Sequence, residues 1–105
     1  MFEIINITKC PDALVRLKAV QQMCPCRVQD DIPEFWERLF ELAEDEDPAV
    51  RYQVLHNLCD GSPPQYEDQI VQCLEVFNRD KDKKVRAAAS KVMASYLRTG
   101  KWNVM

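Results

Sequence analysis

Cysteine and histidine are the residues of this 105-residue chain whose chemistry could support metal binding or covalent catalysis. The chain has five cysteines and a single histidine, His56, three residues before Cys59. A zinc site needs clustered ligands at characteristic spacings, and a cysteine nucleophile needs a base held beside it. Cys24 and Cys26 lack the C-x₂-C spacing of zinc-binding motifs. We therefore expect no metal site, no cofactor and no catalytic residue, and interpret the thiols as buried structural groups.

Composition also argues against an enzyme and against export. Two glycines are too few for a phosphate-binding loop, and no G-x-S-x-G motif occurs. No apolar run approaches the roughly 18 residues of a membrane span, and the first ten residues do not resemble a signal peptide. An odd number of cysteines without such a signal favours reduced thiols. We expect a non-enzymatic protein of the cytoplasm, with the nucleus as a second location and no membrane contact.

A repeat of 35 residues organises the chain. The pattern D-x-x-V-R occurs three times, beginning at Asp12, Asp47 and Asp82. The valine of each copy is followed four and eight positions later by further apolar residues, which places each trio on one stripe of a helix. The trios are Val15, Ala19 and Met23; Val50, Val54 and Leu58; and Val85, Ala89 and Met93. The aspartates are suited to capping these helices, with Pro48 at the first helical position.

A second amphipathic segment precedes each capped helix, so the layout is three antiparallel helix pairs. These segments are 2–9, which is short, 32–44 and 66–78. We divide the single domain into unit one (1–29), unit two (30–64) and unit three (65–105). Pro25, Asp30, Asp31 and Pro33 mark the first junction, and Gly100 ends the last helix. Trp36, Phe40 and Tyr52 are expected in the core between units, and Trp102 is expected to fold back over the open end of unit three.

These motifs resemble the HEAT repeat family, in which a second helix opens with Asp and then Val-Arg. The best copy is 47–58 and the next best begins at Val85 and Arg86. The resemblance implies an all-α, α-α superhelix, which is a HEAT/armadillo-like solenoid of about three antiparallel hairpins. The 35-residue period is shorter than the usual 40 to 47, so we expect a compact HEAT variant.

The resemblance also implies a structural ladder of charge-assisted hydrogen bonds between units. The residues that it implicates are Asp12, Asp47, Asp82, Arg16, Arg51 and Arg86. The alternative for the aspartates is helix capping alone. The alternative for the arginines is simple exposure to solvent.

The resemblance implies that the second helices line the concave face. Solenoids present extended surfaces, so we expect this chain to bind or scaffold another protein on that face. The candidate binding residues are Lys18, Gln21, Gln22, Gln53, His56, Asn57, Lys91 and Ser95. A different hypothesis is that the basic unit three binds nucleic acid. The sequence pI of the whole chain, near 5.1, argues against this hypothesis. The same pattern is also compatible with a regulatory subunit or fragment of a longer array, and with self-association through the apolar ends.

Overall fold

The computed structural model describes residues 2–24 and 32–105, and within them every regular element is helical. The elements are α1 (Phe2–Ile7), α2 (Ala13–Gln21), α3 (Pro33–Leu42), α4 (Pro48–Leu58), a 3₁₀ turn (Pro64–Tyr66), α5 (Glu67–Phe77) and α6 (Lys83–Thr99). The all-α fold class predicted from the sequence is confirmed. In the same part of the chain, no helix has the length and apolar character needed to span a membrane.

Each second helix begins at the aspartate of the repeated motif. Asp12, Asp47 and Asp82 have extended backbone angles, and the carboxylate of each accepts a hydrogen bond from an N–H two or three residues later. Pro48 occupies the first helical position of α4, where its missing N–H costs no hydrogen bond. At the other end of α6, Gly100 adopts a left-handed φ of 75°, which closes the helix without strain. The motif therefore fixes where α2, α4 and α6 start.

The second helices stack side by side and form the central seam of the core. Helix α4 packs against α2 and α6, and also against α3 and α5, while each first helix contacts its own second helix. The repeated stripe of α4 is fully buried, as are Val85, Ala89 and Met23. Val15 differs, since 36% of it is exposed. It lies in the first turns of α2, which packs mainly against α1 and α4, whereas α4 has neighbours on every side.

The last residues fold back over the connection between α4 and α5. The Trp102 side chain is buried, and its indole N–H donates a 2.6 Å hydrogen bond to the Ser62 hydroxyl. The backbone N–H of Met105 donates to the carbonyl of Cys59. The sequence predicts that Trp102 covers the open end of unit three. The structure instead places it where unit two meets unit three, so the tail joins the two units.

The junction predicted between unit one and unit two lies outside the described residues. This applies to Pro25, Asp30 and Asp31 and to the boundary at 29/30, whereas Pro33, the fourth junction residue, is the first residue of α3.

Candidate functional site

Two buried ion pairs connect successive helix pairs. The first joins Arg16 of α2 to Asp45, in the α3–α4 connection. The Nε and Nη2 atoms of Arg16 lie 3.0 and 3.1 Å from the two carboxylate oxygens of Asp45. The remaining nitrogen, Nη1, donates to the backbone carbonyls of Cys10 and Pro11. Both side chains are only 8% exposed. Because every guanidinium nitrogen is bonded, the charge is buried with its partners satisfied.

The second ion pair repeats this geometry one unit later. Arg51 of α4 lies 2.8 and 2.9 Å from the two carboxylate oxygens of Asp80, and its Nη1 donates to the carbonyl of Asp45. Burial alone would raise the pKa of Asp80. Hydrogen bonds from Arg51 and from the backbone N–H of Asp82, together with the positive charges of Arg51 and Lys81, outweigh burial and leave that pKa lowered. The hydrogen bond with Asp80 raises the pKa of Arg51. Both groups are therefore charged near neutral pH.

The arginines bind aspartates other than those that we expected. Asp47 and Asp82 cap helices, while the partners of Arg16 and Arg51 are Asp45 and Asp80, two residues earlier. In addition, one carboxylate oxygen of Asp45 accepts the N–H of Asp47, and Asp80 does the same for Asp82. Asp45 and Asp80 therefore each stabilise the turn in which they lie and also bind an arginine of the preceding unit. The sequence signal is D-x-D in units two and three; unit one has Cys10 at the equivalent position, and Asp12 serves as a cap.

Arg86 makes the hydrogen bond to a backbone carbonyl that Arg51 makes, but not the ion pair. Its Nη1 donates to the carbonyl of Asp80 at 2.7 Å, just as Arg51 donates to Asp45. The side chain is exposed, and among residues 2–24 and 32–105 no carboxylate forms an ion pair with it. The ladder in this part of the chain therefore consists of two rungs, Arg16–Asp45 and Arg51–Asp80.

A groove of about 1300 Å³ crosses α2, α4 and α6 and ends against the C-terminal residues. We call it the second-helix groove. Its lining residues are Leu17, Gln21, Pro48, Ala49, Tyr52, Gln53, Asp82, Lys83, Lys84, Ala87, Ala88, Lys91, Val92, Val104 and Met105. Most of the lining is apolar. The lining contains three lysines and one aspartate, so its side chains carry a net positive formal charge.

Three of the eight predicted binding residues, Gln21, Gln53 and Lys91, line the groove. The groove lining does not include the other five, which are Lys18, Gln22, His56, Asn57 and Ser95. Ser95 lies near the end of α6, where its hydroxyl donates to the carbonyl of Lys101. The structure therefore collects one predicted residue from each second helix and leaves the rest outside the groove.

Asn57 requires a correction, because it is fully buried and is not available at a binding surface. Its side-chain amide N–H donates a 2.8 Å hydrogen bond to the carbonyl of Val20, and its oxygen accepts one from Gln53. The polar residue type suggested exposure. The position, however, faces the C-terminal end of α2, where the Val20 carbonyl accepts the Asn57 amide as a second donor beside the N–H of Met23.

Tyr52 requires the opposite correction. We expected it in the core with Trp36 and Phe40, but it is 40% exposed and lines the groove. Trp36 is buried and Phe40 is partly buried, as predicted. Sequence reasoning also missed Lys83 and Lys84 as groove residues, because the only signal for them is the basic character of unit three. Their position in the first turn of α6, beside α4, gives them a place in the groove.

A separate cluster lies at the C-terminal ends of α2 and α4. The Cys24 sulfur is 3.3 Å from Oδ2 of Asp60, and the same oxygen is 3.6 Å from Nε2 of His56. All three side-chain atoms lie within 4.8 Å of one another. Cys24 is buried, while His56 and Asp60 are about one-third exposed. The carboxylate contacts both the thiol and the imidazole, unlike a nucleophile–base pair in which the imidazole contacts the thiol and the acid lies behind it.

The thiols of Cys59 and Cys73 have low reactivity. Burial, together with the charge of Cys73, raises the pKa of Cys59 to about 12. Burial and the charge of Glu44 raise the pKa of Cys73 to about 11. Both groups are protonated at neutral pH, and a thiol is a far weaker nucleophile than a thiolate.

Comparison with known proteins identifies the family. A model of HEAT repeats matches residues 3–94, which extend from α1 well into α6. No curated protein and no solved structure matches the chain. The matched region contains the stacked helix pairs, the capped second helices and both arginine–aspartate rungs. The chain belongs to the HEAT repeat family.

Proposed function

We propose that the chain is a non-enzymatic interaction module that binds an acidic, amphipathic segment of another protein in the second-helix groove. HEAT repeats form helical modules for protein interaction, which supports the general class. The observation that carries the finer proposal is the groove itself, an apolar depression that crosses all three second helices and is bordered by Lys83, Lys84 and Lys91.

The lining suits a protein segment better than a small polar ligand. Leu17, Tyr52 and Ala88 offer apolar contact from three different helices. Burying apolar surface contributes roughly 25 cal/mol per Å², so a short apolar stretch of a partner could bind here. Tyrosine is also a common energetic centre of protein interfaces, and Tyr52 presents its ring at the groove surface.

The lysines select the charge of the partner. Long lysine side chains can cover apolar surface with their methylene stems while their ammonium groups stay hydrated. A partner with acidic residues flanking its apolar contacts would gain favourable electrostatic interactions, whereas a basic partner would be repelled. We therefore assign the groove to acidic segments.

The two buried rungs make this surface rigid before it binds. They connect α2 to the turn before α4, and α4 to the turn before α6. A surface that is already ordered loses less conformational entropy on binding, and more of the contact energy appears as affinity.

A peptide-display experiment with matched charge reversals tests the proposal. Displayed peptides are selected on the wild-type chain, and binding is then measured on two double variants. Lys84→Glu with Lys91→Glu reverses the groove, while Lys9→Glu with Lys101→Glu makes the same change at exposed sites outside it. We expect acidic amphipathic peptides whose affinity falls at least about tenfold in the groove variant and stays unchanged in the control. Circular dichroism establishes that both variants are folded.

Two results would oppose this function. Selected peptides that bind both double variants equally would place the site elsewhere. Steeply salt-dependent binding of duplex DNA at micromolar protein, lost in the groove variant, would favour a nucleic-acid ligand over a protein partner.

A further inference from the structure

We propose that Cys24, His56 and Asp60 form a binding site for a zinc-type divalent cation, which joins unit one to unit two. This site is independent of the groove. The sequence analysis leads us to expect no metal site, and this proposal departs from that expectation. It is carried by the three side chains themselves, which converge from two successive helix pairs although Cys24 and His56 are far apart along the chain.

Two of the three ligand–ligand distances already fit a tetrahedral ion. Zinc lies about 2.3 Å from a cysteine sulfur and about 2.0 Å from nitrogen and oxygen ligands. At a tetrahedral angle, those bonds require a sulfur–oxygen separation of about 3.5 Å and a nitrogen–oxygen separation of about 3.3 Å. The corresponding distances to Oδ2 of Asp60 are 3.3 Å from Cys24 and 3.6 Å from His56. Both pairs lie within a few tenths of an ångström of the required edge. The third separation, between the Cys24 sulfur and the His56 nitrogen, is within 4.8 Å, and it needs to be about 3.5 Å when an ion is bound.

The donor types specify the class of metal. Sulfur, imidazole nitrogen and carboxylate oxygen together suit zinc and similar transition ions. Magnesium and calcium prefer oxygen ligands alone, so the thiol disfavours them. His56 and Asp60 are about one-third exposed, which leaves room for a water molecule as the fourth ligand.

The charges also balance. Binding replaces the proton of the Cys24 thiol with a metal–sulfur bond and releases that proton to solvent. The thiolate and the Asp60 carboxylate then supply two negative charges to a doubly positive ion, and His56 binds through the lone pair of a neutral Nε2. The location of the site at the ends of two helices also favours a cation, to a smaller extent. Cys24 follows α2, and His56 lies in the last turn of α4, where the helix dipole favours a cation.

Metal binding would fasten the second helices together at the ends remote from the arginine–aspartate rungs. The contact that it reinforces is between Cys24, after α2, and the end of α4. An ion that binds only the folded state stabilises that state increasingly as its concentration rises above Kd. The melting temperature should therefore rise with zinc concentration.

Cobalt titration of the reduced, full-length chain is the most direct test, because Co²⁺ substitutes for zinc and reports a thiolate ligand by its charge-transfer absorption. We expect one Co²⁺ per chain, a thiolate band, and displacement by Zn²⁺. Cys24→Ser should abolish the band, and Asp60→Asn should lower the affinity at least about tenfold. Cys10→Ser, which alters a thiol elsewhere in unit one, should leave the titration unchanged.

Several results would overturn the site. Absence of saturable 1:1 binding at micromolar cobalt would do so, as would binding without a thiolate band, which indicates adventitious carboxylate ligation. A band that persists in Cys24→Ser or disappears in Cys10→Ser would place the ligand elsewhere. Because Cys24 is buried, folding of each variant is measured by circular dichroism. His56→Ala provides a partly exposed second variant, which should weaken binding by a similar factor if the site is correct.

Discussion

Replacing Arg51 with alanine should destabilise the fold strongly, because it leaves a buried carboxylate without its counter-charge. Arg51 and Asp80 are each only 7% exposed in their side chains. Removing one partner of a buried ion pair costs about 3–5 kcal/mol. Asp80 would keep the hydrogen bond from the N–H of Asp82, so we expect the lower end, about 3 kcal/mol. A domain of this size has a total stability of about 5–15 kcal/mol, so the loss is a large fraction of it.

Urea denaturation and thermal melting measure this loss. A change of about 3 kcal/mol lowers the melting temperature of a domain of this size by about 12 °C or more. The control is Arg98→Ala, an exposed arginine on α6, which should change stability by less than about 0.5 kcal/mol. Arg38 would be a poor control, because its side chain donates hydrogen bonds to Thr8. Equal stabilities of Arg51→Ala and Arg98→Ala would refute the argument that the rung stabilises the fold.

The same rung has a defined pH dependence. The pKa of Asp80 is lowered in the folded state from its ordinary value of 3.8. A group with a lowered folded pKa stabilises the fold above its unfolded pKa, and the contribution is lost as pH falls through the folded value. Wild type should therefore exceed Asp80→Asn in stability by a constant amount above about pH 5, and by a shrinking amount below about pH 4. A difference independent of pH would mean that the Asp80 charge contributes nothing.

Two further substitutions test how the units are joined and how helices begin. Trp102→Ala should lower the free energy of unfolding, measured by urea denaturation, by about 3 kcal/mol, because it removes a buried ring and the indole donor of the Ser62 hydroxyl. A change below about 1 kcal/mol would indicate that the tail does not stabilise the fold. Asp47→Ala should cost about 1 kcal/mol through loss of the α4 cap, and Asp47→Asn should restore most of it, with failure of that rescue pointing to a role beyond capping.

The sequence predicts the elements of this fold well because its signals are local. A capping aspartate followed by apolar residues at helical spacing defines a helix start and a buried face within a dozen residues. Repetition at 35 residues then extends that interpretation to each unit, including α1, which is short and rich in isoleucine. Gly100 ends the last helix for an equally local reason, its positive φ.

Residue roles set by contacts between units are predicted less well. Asp45 and Asp47 differ little as sequence, yet one binds an arginine of the preceding unit and the other caps a helix. Asn57 is buried against the neighbouring α2, where its amide donates to the Val20 carbonyl. Tyr52 reaches the groove because of where α6 lies. Each outcome depends on the relative placement of two helices, and the apolar pattern within one helix does not specify that placement.

The geometry of the second-helix groove is fixed at both ends of α4. Near its beginning, Arg51 holds the turn before α6 by a bidentate ion pair, and this residue adjoins Tyr52 in the groove. Near its end, the Asn57 side chain holds the carbonyl of Val20 in α2. The Arg16–Asp45 pair also joins the beginning of α2 to the turn before α4, so α2 and α4 are connected near both ends and are hindered from pivoting apart. The polar residues buried between units thus help to set the shape of the groove, although neither Arg51 nor Asn57 lines it.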